Sequence, residues 1–269
     1  MPSPSRVALF TVGGVVLAGA IGSAAFTGIV LLSAHDDKAH TQFTLTADTL
    51  VIESDGGGVK LVPGEPGVVN VDRTTTHAIR GAKPKWSMAG DKLKLDTNCP
   101  MFFSVNCDGN YTVTVPAAVK VVTVRNNNGA IRAEGMHKDL NLTSDNGSIT
   151  VRDSVGNLKM DSDNGSINVD RTWADRIEAS SDNGSLKITL NNEPSWVKAS
   201  SDNGSARLTL PQGDRVYKLK VDTDNGSKNT SGIKDSAASN FLLDVSSDNG
   251  SVRVNYGPFG VTEAPRQPS

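Results

Sequence analysis

A five-residue motif, Ser-Asp-Asn-Gly-Ser, recurs through the second half of this 269-residue chain and limits its fold more than any other feature. Five copies are identical, a sixth begins with Thr, and the earliest reads Asn-Asn-Asn-Gly-Ala. Self-similarity at a period near 20 residues is typical of solenoids, and Asn-Gly favours the positive φ angles of a tight bend. The motif glycines, predicted to form one structural bend per repeat, are Gly129, Gly147, Gly165, Gly184, Gly204, Gly226 and Gly250.

The residues around each glycine alternate between apolar and polar. Around Gly147, for example, the apolar positions are Leu140 and Leu142 before the bend and Ile149 and Val151 after it. This period of two predicts one strand on each side of every bend. Two arrangements fit: a chain of antiparallel hairpins, or a solenoid whose coils pair in parallel about 4.8 Å apart. We favour the solenoid because it stacks each Asp, Asn and Ser on its own copies.

The predicted fold class is therefore all-β: a single-stranded parallel β-solenoid, right-handed because parallel crossovers nearly always are. The sixth unit departs from the pattern, since Lys228 and Thr230 occupy positions where apolar residues belong. Either that strand is shifted or its coil is locally open.

The spacing between motif glycines grows along the chain, running 18, 18, 19, 20, 22 and 24 residues. Because the strands and the Asn-Gly bend have constant length, all growth falls on the opposite edge of the solenoid. Insertions on one face are typical of a binding surface in repeat proteins. The alternative is that bulky residues merely cover the core where the coil widens. The candidate ligand-binding residues on this edge are Trp173, Trp196, Tyr217 and Phe241.

The repeats at 121–256 are preceded by short strands without a regular motif. We predict that residues 41–120 form an irregular β cap over the exposed end of the solenoid. Residues 54–59, Ser-Asp-Gly-Gly-Gly-Val, look like a decayed copy of the bend. Residues 33–40 are predicted to be a short tether, and 257–269, with three prolines, a disordered tail.

Residues 7–32 contain no charge. As a helix they would extend roughly 39 Å, enough to cross a hydrocarbon core of about 30 Å. Arg6 precedes the segment, so the positive-inside rule predicts a signal-anchor helix, with residues 1–6 cytoplasmic and the solenoid extracellular. The alternative is a signal peptide cleaved near residues 22–24, which would secrete the protein but leave a hydrophobic stub.

Cys99 and Cys107 are the only cysteines. An exported chain meets an oxidising environment, so we predict a structural disulfide between them in the cap. The alternative is two free thiols. Seven intervening residues match neither a zinc site nor a thioredoxin-like motif.

Six of the seven motif copies also contain an aspartate, so a carboxylate recurs from coil to coil. Stacked at strand spacing, neighbouring carboxylates would repel one another, and calcium could relieve that repulsion. The interpretation that we favour is structural: each Asp accepts hydrogen bonds from backbone N–H groups and Ser hydroxyls while facing water. No pair of histidines has metal-ligand spacing, so no metal or other cofactor is expected. The aspartates of this candidate ladder are Asp145, Asp163, Asp182, Asp202, Asp224 and Asp248.

Catalysis and nucleic-acid binding both lack support in the sequence. A β-helix enzyme acting on polysaccharides would need acids or a base that break the repeat at the reaction site. Here the Asp residues recur with the repeat, and no Gly-x-Ser-x-Gly, phosphate loop or His-Glu-x-x-His occurs. The 27 basic and 29 acidic residues leave no global basic field for nucleic acid. No catalytic residues are predicted.

With these features the chain resembles a known family, the bacterial putative-adhesin proteins built from β-strand repeats, a domain family of unknown function. The features that carry the resemblance are the N-terminal anchor, residues 56–59, 71–73, 93–96 and 113–116, Trp86, the cysteine pair and the Asn-Gly-Ser units. The resemblance implies an extracytoplasmic β-solenoid with a role at the cell surface. It brings no catalytic residues.

Two functions fit these expectations. The first is a non-enzymatic adhesin-like binding or scaffold module that recognises an envelope glycan, peptide or protein along one face of the solenoid. The second is an envelope sensor or regulator that acts through its membrane helix, which would need a partner in the bilayer because six cytoplasmic residues cannot form a signalling domain.

Overall fold

A computed structural model describes residues 35–77, 85–96 and 108–266. In these ranges the chain forms 21 strands and no helix. Consequently the described residues contain no apolar helix long enough to cross a bilayer, and residues 7–32 lie outside them. The strands are β1 (His35–Thr44), β2 (Thr49–Ser54), β3 (Gly58–Gly64), β4 (Val68–His77), β5 (Lys85–Ala89), β6 (Lys92–Asp96), β7 (Asp108–Pro116), β8 (Val121–Asn126), β9 (Ile131–Glu134), β10 (Asp139–Ser144), β11 (Ile149–Arg152), β12 (Leu158–Ser162), β13 (Ile167–Thr172), β14 (Arg176–Ser181), β15 (Leu186–Leu190), β16 (Trp196–Ser201), β17 (Ala206–Gln212), β18 (Lys218–Thr223), β19 (Lys228–Asn229), β20 (Leu242–Ser247) and β21 (Val252–Gly260).

The strands form two sheets. The eleven-stranded sheet has the order β1-β4-β7-β3-β9-β11-β13-β15-β17-β21-β19, and the ten-stranded sheet the order β18-β20-β16-β14-β12-β10-β8-β2-β6-β5. Each repeat places one strand in each sheet, and we call such a pair of strands a coil. All strands of the coils pair in parallel with those of the next coil, whereas β1, β4 and β5 add antiparallel strands at one end.

The register places equivalent residues of successive coils side by side. Leu140 is paired with Val122 on one side and Leu158 on the other, and Ser144 is paired with Ser162. Antiparallel hairpins would not produce this parallel pairing of copies. The all-β class and the parallel stacking expected of a β-solenoid are therefore confirmed, while the right-handed winding stays a prediction.

The core lies between the two sheets. Alternate residues of each strand point inward, so that Leu140, Leu142, Ile149 and Val151 are almost completely buried. The buried Val, Leu and Ile side chains of all coils form one continuous cluster. Burying one such side chain contributes about 1.5–3 kcal/mol, and the stacking buries several per coil. Hydrophobic packing along the whole stack therefore holds the two sheets together.

The order of the coils in space departs from chain order at both ends. Strand β20 pairs with β16 and with β18, and β21 pairs with β17 and with β19. The last coil therefore lies between the fifth and sixth repeats. At the other end β2 pairs with β8 and β6, and β3 pairs with β9 and β7. The first coil, β2–β3, therefore lies between the second coil, β6–β7, and the third coil, β8–β9.

This order explains the irregular sixth repeat. Strands β18 and β19 form the terminal coil, where no further coil covers the outer side. Lys228 is exposed there and its Nζ donates to Asp222 Oδ1 at 2.9 Å. The strand is not shifted, because Lys228 is paired with Val252 in the common register. Charged residues on an end coil protect its open edges from pairing with another chain.

Three segments differ from the sequence expectation. Within residues 41–120, β2–β3 and β6–β7 are regular coils of the stack, and only β1, β4 and β5 are additions to it. Residues 35–40, predicted as part of a tether, belong to β1, which pairs with β4 over ten residues. The predicted disordered tail begins at residue 257, yet β21 continues to Gly260 and Thr262 N donates to Asn191 O at 2.9 Å. Pairing along the stack orders these segments, which local composition does not reveal.

Candidate functional site

The stacked Asn-Gly bends form one edge of the molecule, which we call the bend edge. A Cβ added to Gly165 or Gly184 would lie closer than 3.0 Å to the carbonyl of the glycine in the preceding coil. Of the seven motif glycines only Gly129 has a positive φ, at 147°. The prediction that positive φ selects these glycines is therefore wrong for the other six. Glycine is needed because the backbones of successive bends approach too closely for any side chain.

The row of glycines extends beyond the seven motif copies. A Cβ on Gly129 would meet the carbonyl of Gly57, and one on Gly57 would meet the carbonyl of Gly109. Ser54 is paired with Asn126, which confirms that residues 54–59 are a copy of the bend. The motif pattern does not reveal the copy at Gly109, because the order Asp108-Gly109-Asn110 places Asn after the glycine instead of before it.

The serine before each Asp-Asn-Gly is buried and bonds to the neighbouring coil. Ser181 Oγ donates to Gly165 O at 2.9 Å, and Ser201 Oγ donates to Gly184 O at 2.8 Å. Each hydroxyl thus satisfies a carbonyl oxygen that would otherwise be buried without a partner. Ser144, Ser162 and Ser247 make the equivalent bond.

The asparagines form a continuous ladder of side-chain hydrogen bonds. In each step the Nδ2 of one asparagine donates to the Oδ1 of the asparagine in the adjacent coil at 3.0 or 3.1 Å. Such ladders stabilise stacked parallel strands. The members are Asn128, Asn146, Asn164, Asn183, Asn203, Asn249 and Asn225.

The candidate Asp ladder lies exposed beside the asparagines. Within the described ranges, its carboxylates accept no hydrogen bond from the motif serines, whose buried hydroxyls face the glycine carbonyls instead. The predicted Ser-to-Asp bonds are therefore wrong. Desolvation, followed by repulsion from Asp145 and Asp182, raises the pKa of Asp163 above its ordinary value. The described residues hold no group of three acidic, His or Cys side chains placed to bind a metal, so the calcium hypothesis gains no geometric support.

The opposite edge consists of the segments that connect one coil to the next, together with the strand ends that adjoin them, and we call it the long-bend edge. Its segments are residues 135–138, 153–157, 173–175, 191–195, 213–217 and 230–241. Segment 213–217 connects coils that are not neighbours, because it passes over the inserted coil, and 230–241 returns from the terminal coil to the inserted coil beside it. Much of the growth in spacing along the sequence therefore reflects this change in stacking order.

A residue with a left-handed backbone conformation lies at or just before the start of each of the first three long bends. Gly135, Asp153 and Arg171 stack on one another with φ angles of 64°, 49° and 47°. The Arg171 guanidinium donates two hydrogen bonds of 2.8 Å to the Asp153 carboxylate, and these bonds hold the pKa of Asp153 below its ordinary value. The left-handed conformation costs roughly 1–2 kcal/mol for a residue with a side chain. The ion pair offsets part of that cost, so this region has a structural role.

Trp173 also has a structural role. Its Nε1 donates to Thr262 O at 2.8 Å, while Thr262 N is bonded to Asn191 O. The C-terminal segment thus crosses the long-bend edge, and hydrogen bonds of the Thr262 N–H and C=O groups hold it there. Trp173 fastens the segment that the sequence predicted to be disordered.

Trp196, at the start of β16, borders a shallow trough of about 270 Å³ on the outer face of the ten-stranded sheet. The Arg176 guanidinium lies 4.2 Å from the centre of the Trp196 ring. A cation over an indole face is stabilised by the negative charge of the ring face. The polar side chains of the trough are Asp139, Asn141, Asn157, Lys159 and Glu178.

Tyr217 and Phe241 differ in their placement. Tyr217 is completely buried, and this burial raises the pKa of its phenol, so it belongs to the core and offers no surface to a ligand. Phe241 is 37% exposed and borders an open groove of about 770 Å³. The Arg215 guanidinium lies 4.3 Å from the centre of the Phe241 ring. Glu193 positions this arginine, accepting Arg215 N at Oε1 (2.8 Å) and Arg215 Nη1 at its carbonyl (2.7 Å).

The fold brings Trp196 and Phe241 close together, because Trp196 is paired with Leu242, the residue after Phe241. Two arginine–aromatic stacks therefore lie on neighbouring coils of one edge. The site residues predicted from the sequence did not include Arg176, Arg215 and Glu193. The long bends share no repeated pattern, so no local signal distinguishes these residues from other exposed polar ones. Cys99 and Cys107 lie outside the described residues, and their predicted disulfide stays a prediction.

The architecture defines a class of protein: parallel coils stacked between two sheets, with one uniform edge and one varied edge. Residues 48–255 match the family model described as Toastrack DUF4097. This span exceeds half of the chain, so the protein belongs to that family, and the predicted family resemblance is confirmed. Among curated proteins, no significant sequence relative is found.

Solved structures of similar fold come from bacteria. A putative adhesin from Bacteroides fragilis is 12% identical with a TM-score of 0.52, covering 82% of this chain and 97% of that one. A putative cell adhesion protein from Clostridium sporogenes is 12% identical with a TM-score of 0.40, covering 83% and 100%. A putative adhesin from Parabacteroides distasonis is 14% identical with a TM-score of 0.42, covering 82% and 97%. At these identities the likeness concerns the fold alone.

Proposed function

We propose that this protein is a non-enzymatic, adhesin-like binding module of the bacterial envelope, and that it binds its ligand at the long-bend edge. The observation that carries the proposal is the groove beside Phe241. There Arg215 stacks on a half-exposed aromatic ring, and Val216, 40% exposed, lines the same groove. Large aromatic residues and arginines that become buried near the centre of an interface are among the residues that most often dominate its binding energy.

The carboxylates of Glu193, which borders the groove, and Asp139, which borders the trough, favour binding over catalysis. Glu193 Oε1 accepts a backbone N–H of Arg215, and Asp139 Oδ1 accepts a backbone N–H of Asn157 at 2.8 Å. Both carboxylates hold the backbone in place, so neither is arranged as one of a pair of acid and base groups around a reacting atom.

Residues 7–32 support a membrane anchor in this proposal, because their uncharged length is sufficient for a transmembrane helix. The solenoid would then be held outside the cell with its long-bend edge open to envelope components. Accessibility of the solenoid to protease in intact cells, with the chain recovered in the membrane fraction, tests this orientation. Release of the intact chain into the medium would contradict the anchor.

Binding of the full chain, purified in detergent, to bacterial cell-wall fragments tests the groove. We expect the double substitution Arg215→Ala and Phe241→Ala to weaken binding at least tenfold, because it removes the stacked pair that borders the groove. The matched control is Asp202→Asn, an exposed change on the bend edge, which we expect to stay within twofold of wild type. Equal binding by the double variant and wild type, or loss of binding in the control alone, would refute the assignment to this edge.

A further inference from the structure

The trough beside Trp196 is a second concave surface, distinct from the groove beside Phe241, and lies on the outer face of the ten-stranded sheet next to the long-bend edge. It crosses the starts of five neighbouring strands, from Val121 on β8 to Trp196 on β16. Its polar floor follows the register of the sheet, since Asn141, Lys159 and Glu178 are consecutive partners in adjacent strands. The trough therefore presents one outward polar side chain per coil, at the strand spacing of about 4.8 Å.

The side chains of the trough offer both donors and acceptors. Within the described residues, the Asn141 side chain makes no hydrogen bond. The Arg176 guanidinium contacts the Trp196 ring and forms no ion pair with a described residue. Asp139 uses its carboxylate for Asn157 but retains free lone pairs. The two basic groups, Lys159 and Arg176, balance the two acidic groups, Asp139 and Glu178, and Lys159 Nζ donates to Glu178 Oε2 at 3.4 Å. The trough thus has a high density of hydrogen-bonding groups without net charge.

We propose that this trough binds an extended, uncharged glycan chain lying along the stack, with one sugar ring against Trp196. Sugar hydroxyls both donate and accept, which suits the mixed amide, carboxylate and cationic groups. The C–H faces of a pyranose ring carry partial positive charge and pack on the negative face of an indole, where a sugar would replace the Arg176 guanidinium. An extended pyranose chain also repeats at close to the strand spacing, so successive rings would meet equivalent floor positions.

Other ligand classes fit the trough less well. A phosphorylated or acidic polymer would need an excess of positive charge, and the four charged side chains cancel. An added peptide strand would need free backbone groups, but β10, β12 and β14 each pair on both sides. The volume of about 270 Å³ lies just below the roughly 300–1,000 Å³ typical of enclosed small-molecule pockets. A ring or two of a longer chain, with the rest in solvent, suits such a shallow surface.

The inference rests on the proposed binding function, and the experiment separates the two. The probe is a suspension of bacterial cell-wall fragments in three portions: untreated, oxidised with periodate to cleave vicinal diols of sugars, and digested with protease. We expect the full chain to bind the untreated and protease-treated fragments and to lose at least tenfold in binding after periodate. Binding that resists periodate and is abolished by protease would overturn the glycan assignment.

Variants of the same full chain locate the contact. We expect Trp196→Ala to weaken binding to the protease-treated fragments at least tenfold, Trp196→Phe to lose about threefold, and Glu178→Gln to lose severalfold. Lys187→Gln, an exposed outward position on the other sheet, is the matched control and should bind as wild type does. Circular dichroism melting verifies that each variant is folded. Trp196→Ala binding within twofold of wild type would overturn the proposal.

Two outcomes distinguish the two hypotheses. If Arg215→Ala with Phe241→Ala abolishes binding while Trp196→Ala does not, the long-bend edge remains the binding surface and the glycan trough is wrong. If wild type binds none of the three portions, both the proposed function and the glycan assignment fail.

Discussion

The bend edge and the long-bend edge are built from the same coils but use their residues differently. On the bend edge, each glycine leaves room for the next backbone, each buried serine satisfies a glycine carbonyl, and each asparagine extends one ladder. On the long-bend edge, partners change from coil to coil: an ion pair at Arg171, an indole held by the C-terminal segment, and two arginine–aromatic stacks. Repetition thus identifies residues that maintain the stack, and specificity has to be sought where repetition stops.

The largest effect expected from this comparison is at a bend-edge glycine. Gly165→Ala should destabilise the fold by about 3 kcal/mol or more, because the new Cβ overlaps the Gly147 carbonyl and only a backbone shift can relieve the overlap. Urea unfolding of the full chain measures the change. Gly260→Ala is the control, since a Cβ there meets nothing within 4 Å. A loss of less than 1 kcal/mol at Gly165 would show that the coils are not packed this closely.

A glycine on the long-bend edge should behave differently. Gly135→Ala is expected to cost about 1 kcal/mol, because φ is 64° while the new Cβ would be only in ordinary contact with Pro63. Asparagine tolerates this φ, so Gly135→Asn should cost less than Gly135→Ala, whereas Gly165→Asn should cost at least as much as Gly165→Ala. If alanine and asparagine rank in the same order of stability loss at both positions, the two glycines are not required for different reasons, positive φ at Gly135 and close backbone approach at Gly165.

The asparagine ladder should contribute less than the glycines. Asn183→Ala removes one ladder bond to Asn164 and one from Asn203, and is expected to cost about 1 kcal/mol because these exposed bonds compete with water. Asn225→Ala, at the end of the ladder, loses a single bond and should cost about half as much. Thermal unfolding compares the two variants, and equal losses would mean that the ladder does not act bond by bond.

The smallest effect is expected from Asp163. Its pKa is raised in the folded protein, so its carboxylate destabilises the fold above that pKa, and the penalty disappears as pH falls below the ordinary value of 3.8. Asp163→Asn should therefore raise the melting temperature slightly at pH 7 and leave it unchanged at strongly acidic pH. The gain should shrink in a background carrying Asp145→Asn and Asp182→Asn. A gain that persists in acid would rule out the carboxylate charge, through desolvation or repulsion, as its cause.

The positions of the strands could be predicted because alternation is local. The inward residues around Gly147 are buried as their spacing requires, and the same holds for the other interior repeats. The order of the last coils could not be predicted, because the fifth, sixth and seventh repeats carry nearly the same bend motif, and nothing in that motif determines which coil lies beside which. Only Lys228 and Thr230 indicated a terminal coil. They lie in the sixth repeat, however, and a seventh repeat follows it along the chain.

The candidate surface was predicted only in part. Trp196 and Phe241 lie on it, but Tyr217, an aromatic residue in another long bend, is buried in the core. The arginines that stack on the two rings come from other coils, at positions that local sequence does not connect with them. Burial and pairing between distant residues depend on how the coils meet, which no local pattern records.

The sequence by itself determined the all-β repeat, the two strands of each coil and the uniform bend edge, since each follows from residue types at constant spacing. Only the tertiary structure decided why the glycines are there, which coil is last and which aromatic rings face solvent. Those properties arise from contacts between successive coils: the close approach of stacked backbones, the insertion of the final coil before the sixth, and the arginines that adjacent bends place against Trp196 and Phe241.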